Sequence, residues 1–182
     1  TLSRAKNNND ASGDGGSPVS DPSNFRFDYG PSSSDQRHRF VMQGVWTPQL
    51  GATSPAAPVL NGWMIAPNVT LTSGFPVNVV AGTDLNRDGV NIDRPAGITR
   101  NDTEGPGFRE VNLRVSRLFK LWKEKAGLEI IAEAENLFNT TNAACGVGGC
   151  GAVINRYQAP DFLRITSATN SRQIQFGARF RF

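Results

Sequence analysis

The residues best suited to bind a ligand lie in one short acidic run, G-T-D-L-N-R-D-G-V-N-I-D-R-P. Asp84, Asn86 and Asp88 occupy alternate positions and a glycine follows, as at the start of a calcium-binding EF-hand loop. The glutamate that closes such a loop is missing, because Pro95 stands there, and Asp93 is the candidate replacement. Oxygen ligands alone favour Ca²⁺ over transition metals. A calcium site is one hypothesis, and a surface loop held by Asx turns is the other.

The side chains that could perform acid–base catalysis lie outside this acidic run. His38 is the only histidine in the sequence, which excludes a histidine triad or a histidine-based metal cluster within the chain. Glu129, Glu133 and Glu135 alternate along one segment and would share a face with arginines of neighbouring strands: Arg114, Arg179 and Arg181. Paired carboxylates would permit general acid–base chemistry. A ladder of opposite charges on a water-facing sheet surface requires the same pattern, and we interpret the residues in this way and predict no enzyme activity.

Cys145 and Cys150 lie close together in a glycine-rich segment. A disulfide between them is expected if the protein is exported, and two free loop thiols are the alternative.

The elements that must position these residues are predicted to be β-strands. The last stretch, S-R-Q-I-Q-F-G-A-R-F-R-F, alternates between apolar and polar side chains. Ile174, Phe176, Phe180 and Phe182 fall on one face, and arginine and glutamine side chains fall on the other, because successive side chains point to opposite sides of a strand. A strand with lipid on one side and water on the other needs this arrangement.

The same alternation predicts further strands along the chain. The predicted strands cover residues 36–47, 59–80, 108–119, 128–138 and 171–182. Pro67 predicts a bulge or a break in pairing within the second of them. For residues 123–137 a helix is the competing interpretation, since Ala and Glu favour helices, but the two-residue period favours a strand.

Long and short connections separate these strands in turn. Long loops cover residues 5–35, 82–107 and 139–170, and short connectors cover residues 48–58 and 120–127. Such segregation of loop lengths is typical of an outer-membrane barrel. The sequence therefore predicts an all-β fold, an antiparallel transmembrane β-barrel segment with long external loops.

Composition is consistent with this fold. The chain has 182 residues, of which 38% are hydrophobic, and it contains no apolar run near the ~20 residues that a membrane helix needs. The net charge of +3 is spread along the chain, which argues against a nucleic-acid partner. Aromatic residues fall near the short connectors, as in the girdle at a membrane interface: Trp46, Trp63, Trp122, Phe119, Phe180 and Phe182. Core aromatics of a soluble sandwich are the alternative.

The chain begins without an initiator methionine or a signal peptide. Five strands cannot close a membrane barrel, for which about eight are the minimum. We therefore expect the chain to be the C-terminal part of a longer exported protein, with the remaining strands upstream.

Several segments resemble a known family. They are D-Q-R-H-R-F (Asp35–Phe40), T-L-T-S-G-F-P-V, the acidic run above, G-P-G-F-R-E-V-N-L-R-V-S-R-L-F, A-E-A-E-N-L-F-N-T-T-N and the terminal R-Q-I-Q-F-G-A-R-F-R-F. In this order they resemble the C-terminal end of the TonB-dependent receptor β-barrel. The resemblance is strongest to the Oar-like members that carry a carboxypeptidase-regulatory-like domain.

This resemblance implies a barrel of about 22 strands in the bacterial outer membrane, in contact with lipid, with a plug domain inside. It implies energised uptake of a siderophore, oligosaccharide or peptide, driven by a periplasmic TonB-type transducer that acts on the plug. It also implies that Phe180 and Phe182 belong to the signal for membrane assembly. The chain itself contains no plug and no TonB box. The alternatives are another barrel class (adhesin, autotransporter or porin) and a secreted calcium-binding β-sandwich.

Overall fold

A computed structural model of the chain describes residues 2–7, 24–51, 53–89, 91–121, 126–146 and 148–182. Within these ranges the helical elements are a 3-10 helix, Phe25–Asp28, and one α-helical turn, α1, Ala57–Leu60. The strands are β1 (Lys6–Asn7), β2 (Gly30–Pro31), β3 (Arg39–Gln43), β4 (Trp63–Thr72), β5 (Pro76–Val77), β6 (Thr103–Glu104), β7 (Phe108–Leu121), β8 (Ala126–Glu135) and β9 (Gln173–Arg181). Neither helix in the described ranges has the length and hydropathy of a membrane span.

The main sheet has five strands in the order β3-β4-β7-β8-β9. β7 pairs antiparallel with β8, from Leu113 opposite Ala134 to Leu121 opposite Ala126. β8 also pairs antiparallel with β9, where Leu128 lies opposite Phe180. Two two-stranded sheets, β1-β2 and β5-β6, complete the strand pairing. The predicted all-β, largely antiparallel fold is therefore confirmed.

β8 settles the choice between helix and strand for the described part of residues 123–137, which begins at residue 126. Ala126–Glu135 is a strand that pairs with β7 on one side and β9 on the other. Ala and Glu favour a helix by intrinsic propensity, but pairing on both sides outweighs a preference of a few tenths of a kcal/mol per residue.

Pro67 leaves β4 continuous and shortens its neighbour. β4 runs through the proline from Trp63 to Thr72, so the strand itself is not interrupted. Gly44 N donates to Pro67 O at 3.2 Å, but the proline has no N–H to return the bond. β3 accordingly ends at Gln43, and pairing resumes only at the bridge between Trp46 and Ile65. The predicted break in pairing is confirmed, and it explains why the predicted strand 36–47 ends early, at Gln43; the strand also begins later than predicted, at Arg39.

The predicted strand 59–80 is too long at both ends. At its start, α1 occupies Ala57–Leu60, with a proline in its first turn, where the missing N–H costs no hydrogen bond. At its other end β4 stops at Thr72, and the chain then passes close to another loop. A Cβ on Gly74 would lie 1.9 Å from the carbonyl oxygen of Gly105. Only glycine permits this approach, which is why the strand breaks before β5.

The chain divides into two compact units. The wall unit consists of Val41–Thr70, Arg109–Thr140 and Asn170–Phe182, and it carries most of the five-stranded sheet. The loop unit consists of Thr1–Phe40, Leu71–Phe108 and Thr141–Thr169, which include the predicted long loops almost entirely. Residues 8–23 of the first loop lie outside the described residues.

The loop unit has a hydrophobic core of its own. Its buried members are Val77, Val79, Ala143, Cys150, Ala152 and Val153. A backbone bridge between Val153 and Ile165 folds the third loop on itself, and a bridge between Val80 and Arg156 joins that loop to the segment after β5. The described parts of the second and third predicted loops are therefore long in sequence but compact in structure.

Candidate functional site

The outward face of the wall unit is apolar and exposed. In β9, Ile174 is 54% exposed, Phe176 80% and Phe180 57%. Their partners on β8 are Ala134, Ala132 and Leu128, which are also apolar. Apolar side chains that line one face of a sheet without cover need a non-aqueous environment.

The opposite face of the same strands is charged and hydrogen-bonded. Arg114 Nη1 on β7 donates to Glu133 Oε1 on β8 at 2.6 Å. Gln175 Nε2 on β9 donates to the other oxygen of the same carboxylate. Glu133 therefore binds partners on both neighbouring strands, as a cross-strand ladder on a wet face requires.

A second step of the ladder lies nearer the short connector. Glu129 is buried, and its Oε2 accepts a hydrogen bond from Arg181 Nη2 at 2.8 Å. Arg179 Nη1 lies 3.9 Å from the same oxygen. Glu135 lies opposite Gln173 instead of an arginine. The predicted charge ladder is confirmed for Glu129 and Glu133, whose carboxylates are held by arginine side chains.

The predicted aromatic girdle is exposed on the wall unit, as far as it is described. Trp46 and Phe119 are half-exposed, and Phe180 contacts Phe182 with ring centroids 6.2 Å apart. Trp122 lies outside the described residues. The role of Phe180 and Phe182 as an assembly signal stays a prediction.

Arg117 is a member of this region that the sequence reasoning missed. Its guanidinium lies 5.1 Å from the ring centroids of both Trp63 and Phe119. The signal was available in the sequence, because Arg117 has the same strand phase as Leu113, Val115 and Phe119.

The acidic run forms a loop that is held by its own backbone amides. Asp93 is buried, and its Oδ2 accepts hydrogen bonds from the N–H of Leu85 and of Asn86, at 2.5 and 3.0 Å. Asp84 accepts from the N–H of Arg87 and Asp88 through Oδ1, and from Gly89 through Oδ2. The two carboxylates therefore accept backbone N–H groups of the loop itself, and the i to i+2 bond of an Asx turn is the one from Asp88 N–H to Asn86 Oδ1.

The remaining side chains of the run bond to each other. Asn86 Nδ2 donates to Asp88 Oδ2 at 3.0 Å, and Asn86 Oδ1 accepts from the N–H of Asp88 at 2.9 Å. The described residues contain no group of three or more His, Cys, Asp or Glu side chains placed to share a metal ion. The calcium site at Asp84, Asn86, Asp88 and Asp93 stays a prediction.

A buried ion pair in the loop unit was also missed. Arg94 and Asp28 pair through Nη2 and Oδ1, and both side chains are almost fully buried. Arg94 also donates to Phe27 O at 3.0 Å and to Asn78 Oδ1 at 3.4 Å. The pair joins two of the long loops.

The two cysteines are bonded in the loop unit. Cys145 and Cys150 form a disulfide, with Cα atoms 4.4 Å apart. Cys150 belongs to the buried core of the loops, and its N–H donates to Pro76 O at 3.1 Å. The disulfide therefore closes the glycine-rich turn, and the hydrogen bond from Cys150 to Pro76 attaches that turn to β5.

Comparison with known proteins shows which protein family the chain belongs to. The family described as outer membrane beta barrel domain matches residues 1–100 and 97–175. No curated protein and no solved structure matches the chain. A barrel wall in a membrane has one apolar and one polar face, as this sheet does. A match to an outer-membrane family does not fit a secreted β-sandwich. The chain belongs to the outer membrane beta barrel domain family and lies in the bacterial outer membrane, in contact with lipid.

Proposed function

We propose that this barrel wall and its loops belong to a TonB-dependent receptor for energised uptake of a nutrient. The nutrient classes are those of the resemblance: siderophores, oligosaccharides and peptides. The proposal goes beyond the outer-membrane barrel that the family establishes. It is supported by the ordered series of receptor-like segments in the sequence and by the organisation of the long loops.

The observation that carries the proposal is the folded loop unit. Two of its segments, Leu71–Phe108 and Thr141–Thr169, bury Val77, Val79 and Val153 in a shared core. The Cys145–Cys150 disulfide constrains the third segment, and the Arg94–Asp28 ion pair joins the first segment to the second. A receptor that captures a scarce ligand gains affinity from loops that are ordered before binding, since less conformational freedom is lost.

The proposed role of this chain is non-enzymatic. Two of the ladder carboxylates are hydrogen-bonded to an arginine, at Arg114–Glu133 and Arg181–Glu129. Carboxylates neutralised in this way suit a water-filled lumen more than proton transfer. In the proposed receptor this face surrounds a plug domain, and the plug is the partner of the TonB-type transducer.

Two measurements on the full-length protein test the proposal. The first is liposome swelling in sugars of increasing size, which reports passive diffusion through an open pore. The second is binding of the purified periplasmic domain of the TonB protein of the same bacterium. A TonB-dependent receptor gives no swelling and binds the transducer domain, because its plug closes the lumen and carries the contact site.

Swelling that falls with sugar size, without transducer binding, would identify a porin and contradict the proposal. Absence of both signals would also contradict it and would favour an adhesin or an autotransporter. A growth test adds the physiological consequence. Deletion of the gene and deletion of the transducer are expected to abolish growth on the same limiting nutrient, and the double deletion is expected to be no worse.

A further inference from the structure

Arg117 carries a positive charge on the apolar face of the wall. On β7 it lies opposite Ile130 of β8, in register with outward-facing neighbours: Leu113 opposite Ala134, Val115 opposite Ala132 and Phe119 opposite Leu128. Residues of the ladder, such as Arg114, have the other strand phase. Arg117 is therefore directed to the lipid side of the barrel and away from the lumen.

The side chain of Arg117 has aromatic and backbone partners but no acidic one among the described residues. Its guanidinium lies against the rings of Trp63 and Phe119, each at 5.1 Å. Its Nη2 donates to Pro58 O at 2.9 Å, in the short connector. None of these partners carries a negative charge, so within the described residues no ion pair neutralises the charge of Arg117.

The depth in the membrane follows from the cost of such a charge. An arginine on the lipid face of a barrel is strongly destabilising at the membrane midplane but costs little near the interface. The hydrogen bond to Pro58 directs the guanidinium toward the short connector, as expected of a side chain that extends to the headgroup level. Trp63 and Phe119 have the ring types that concentrate at that level.

The anion available at this level is the phosphate of a phospholipid headgroup. The planar fork of arginine matches two phosphate oxygens, and one Nη2 bond to Pro58 leaves the other N–H groups of the guanidinium to donate. The flanking rings restrict the side chain, so less conformational freedom is lost on binding. We propose that Arg117, with Trp63 and Phe119, forms a binding site for the phosphate group of a membrane phospholipid.

The test uses the full-length protein purified in detergent and native mass spectrometry with phosphatidylglycerol. Arg117→Gln removes the charge, and Arg117→Lys keeps the charge but removes the fork. Arg164→Gln is the matched control, because it removes one arginine of the loop unit, which pairs with Asp161 at 2.8 Å. Loss of a charge-assisted contact is expected to weaken lipid retention by about tenfold in Arg117→Gln. Arg117→Lys is expected to be intermediate, and Arg164→Gln is expected to match the unmodified protein.

Measurements on the unmodified protein keep the test independent of any folding defect in the variants. Diacylglycerol with the same acyl chains is expected to be retained less than phosphatidylglycerol, because it lacks the phosphate. Equal retention of the two lipids, or of phosphatidylglycerol by the protein and Arg117→Gln, would overturn the proposal. Competition by inorganic phosphate at the same concentration as the lipid would also overturn it, since the site would then bind a free anion.

Discussion

At the scale of single residues, the arrangement around Glu129 links the strand pattern to the wet interior. Its carboxylate lies between β7 and β9 and binds Arg181 at 2.8 Å, with Arg179 at 3.9 Å. Burial makes the charge costly without these partners, and the two arginines would repel each other without the carboxylate. Glu129 therefore holds β9 through its ion pairs, in addition to the backbone pairing between β8 and β9.

Glu129→Gln tests this role. The amide keeps the shape but removes the charge, so we expect the free energy of unfolding to fall by about 1–2 kcal/mol. The measurement is equilibrium denaturation of the full-length protein from lipid vesicles. Glu135→Gln is the matched control, because Glu135 is exposed and lies opposite Gln173. Equal losses in the two variants would show that the ion pairs at Glu129 contribute nothing.

At the scale of elements, the end of β8 depends on Asn136. This residue is buried and has a positive φ of 49°. Its Oδ1 accepts from Thr140 N at 2.9 Å, and its Nδ2 donates to the carbonyl oxygens of Thr140 and Asn170 at 2.9 and 3.2 Å. The amide thus closes the turn after β8 and binds the segment that leads into β9.

Replacement of Asn136 should therefore loosen the turn and leave the strands in place. Asn136→Ala removes all three side-chain bonds and strains the backbone, and we expect a loss of about 2–3 kcal/mol. Asn136→Gly relieves the strain but not the lost bonds, so its loss should be smaller. Hydrogen exchange at the Thr140 amide is the measurement. Unchanged protection in Asn136→Ala would contradict this account of the turn.

The disulfide is the second element-scale prediction. Alkylation of the unreduced, denatured protein should modify neither Cys145 nor Cys150, and reduction should expose both, as mass spectrometry would show. The bond closes a short loop, so its removal by Cys→Ser changes at both positions should cost the loop unit about 2 kcal/mol. Alkylation of either cysteine before reduction would contradict the bond.

Strand periodicity was enough to predict the faces of β7, β8 and β9. The side chains of Ile174, Phe176 and Phe180 share a face because the period of a strand is two, and this requires no knowledge of the partners. Strand ends were harder to predict. β3 ends at Gln43 because Pro67 lies on the neighbouring strand, and a pattern in one segment does not reveal which residue faces it.

Some of the candidate sites likewise follow from a pattern within one segment, and others depend on contacts between distant residues. The ladder at Glu129 and Glu133 follows from strand phase and opposite charges, so the sequence predicted it. The Arg94–Asp28 pair joins residues far apart in the chain and has no periodic signal. The compact loop core likewise depends on pairings between residues far apart in the chain, such as Val80 with Arg156. Arg117 was missed for another reason, because a cation on the apolar face breaks the alternation of apolar and polar side chains that predicts a strand.

At the scale of the whole molecule, the sheet separates lipid on its apolar face from water on its charged face. The family places the chain in the outer membrane, and the two faces of β8 and β9 have the chemistry that each side requires. The energised-uptake proposal and the phospholipid site both depend on this orientation. A direct measurement of which side chains contact lipid therefore tests more of the account than any single variant.

That measurement is site-directed spin labelling along Gln173–Arg181 of the full-length protein in lipid vesicles, with every native cysteine, Cys145 and Cys150 included, replaced by serine. Collision with oxygen, which dissolves in lipid, is predicted to be highest at Ile174, Phe176, Ala178 and Phe180. Collision with a water-soluble nickel chelate is predicted to be highest at Gln173, Gln175, Gly177 and Arg179. A two-residue alternation with these phases would support the wall, and the opposite phase or no alternation would contradict it.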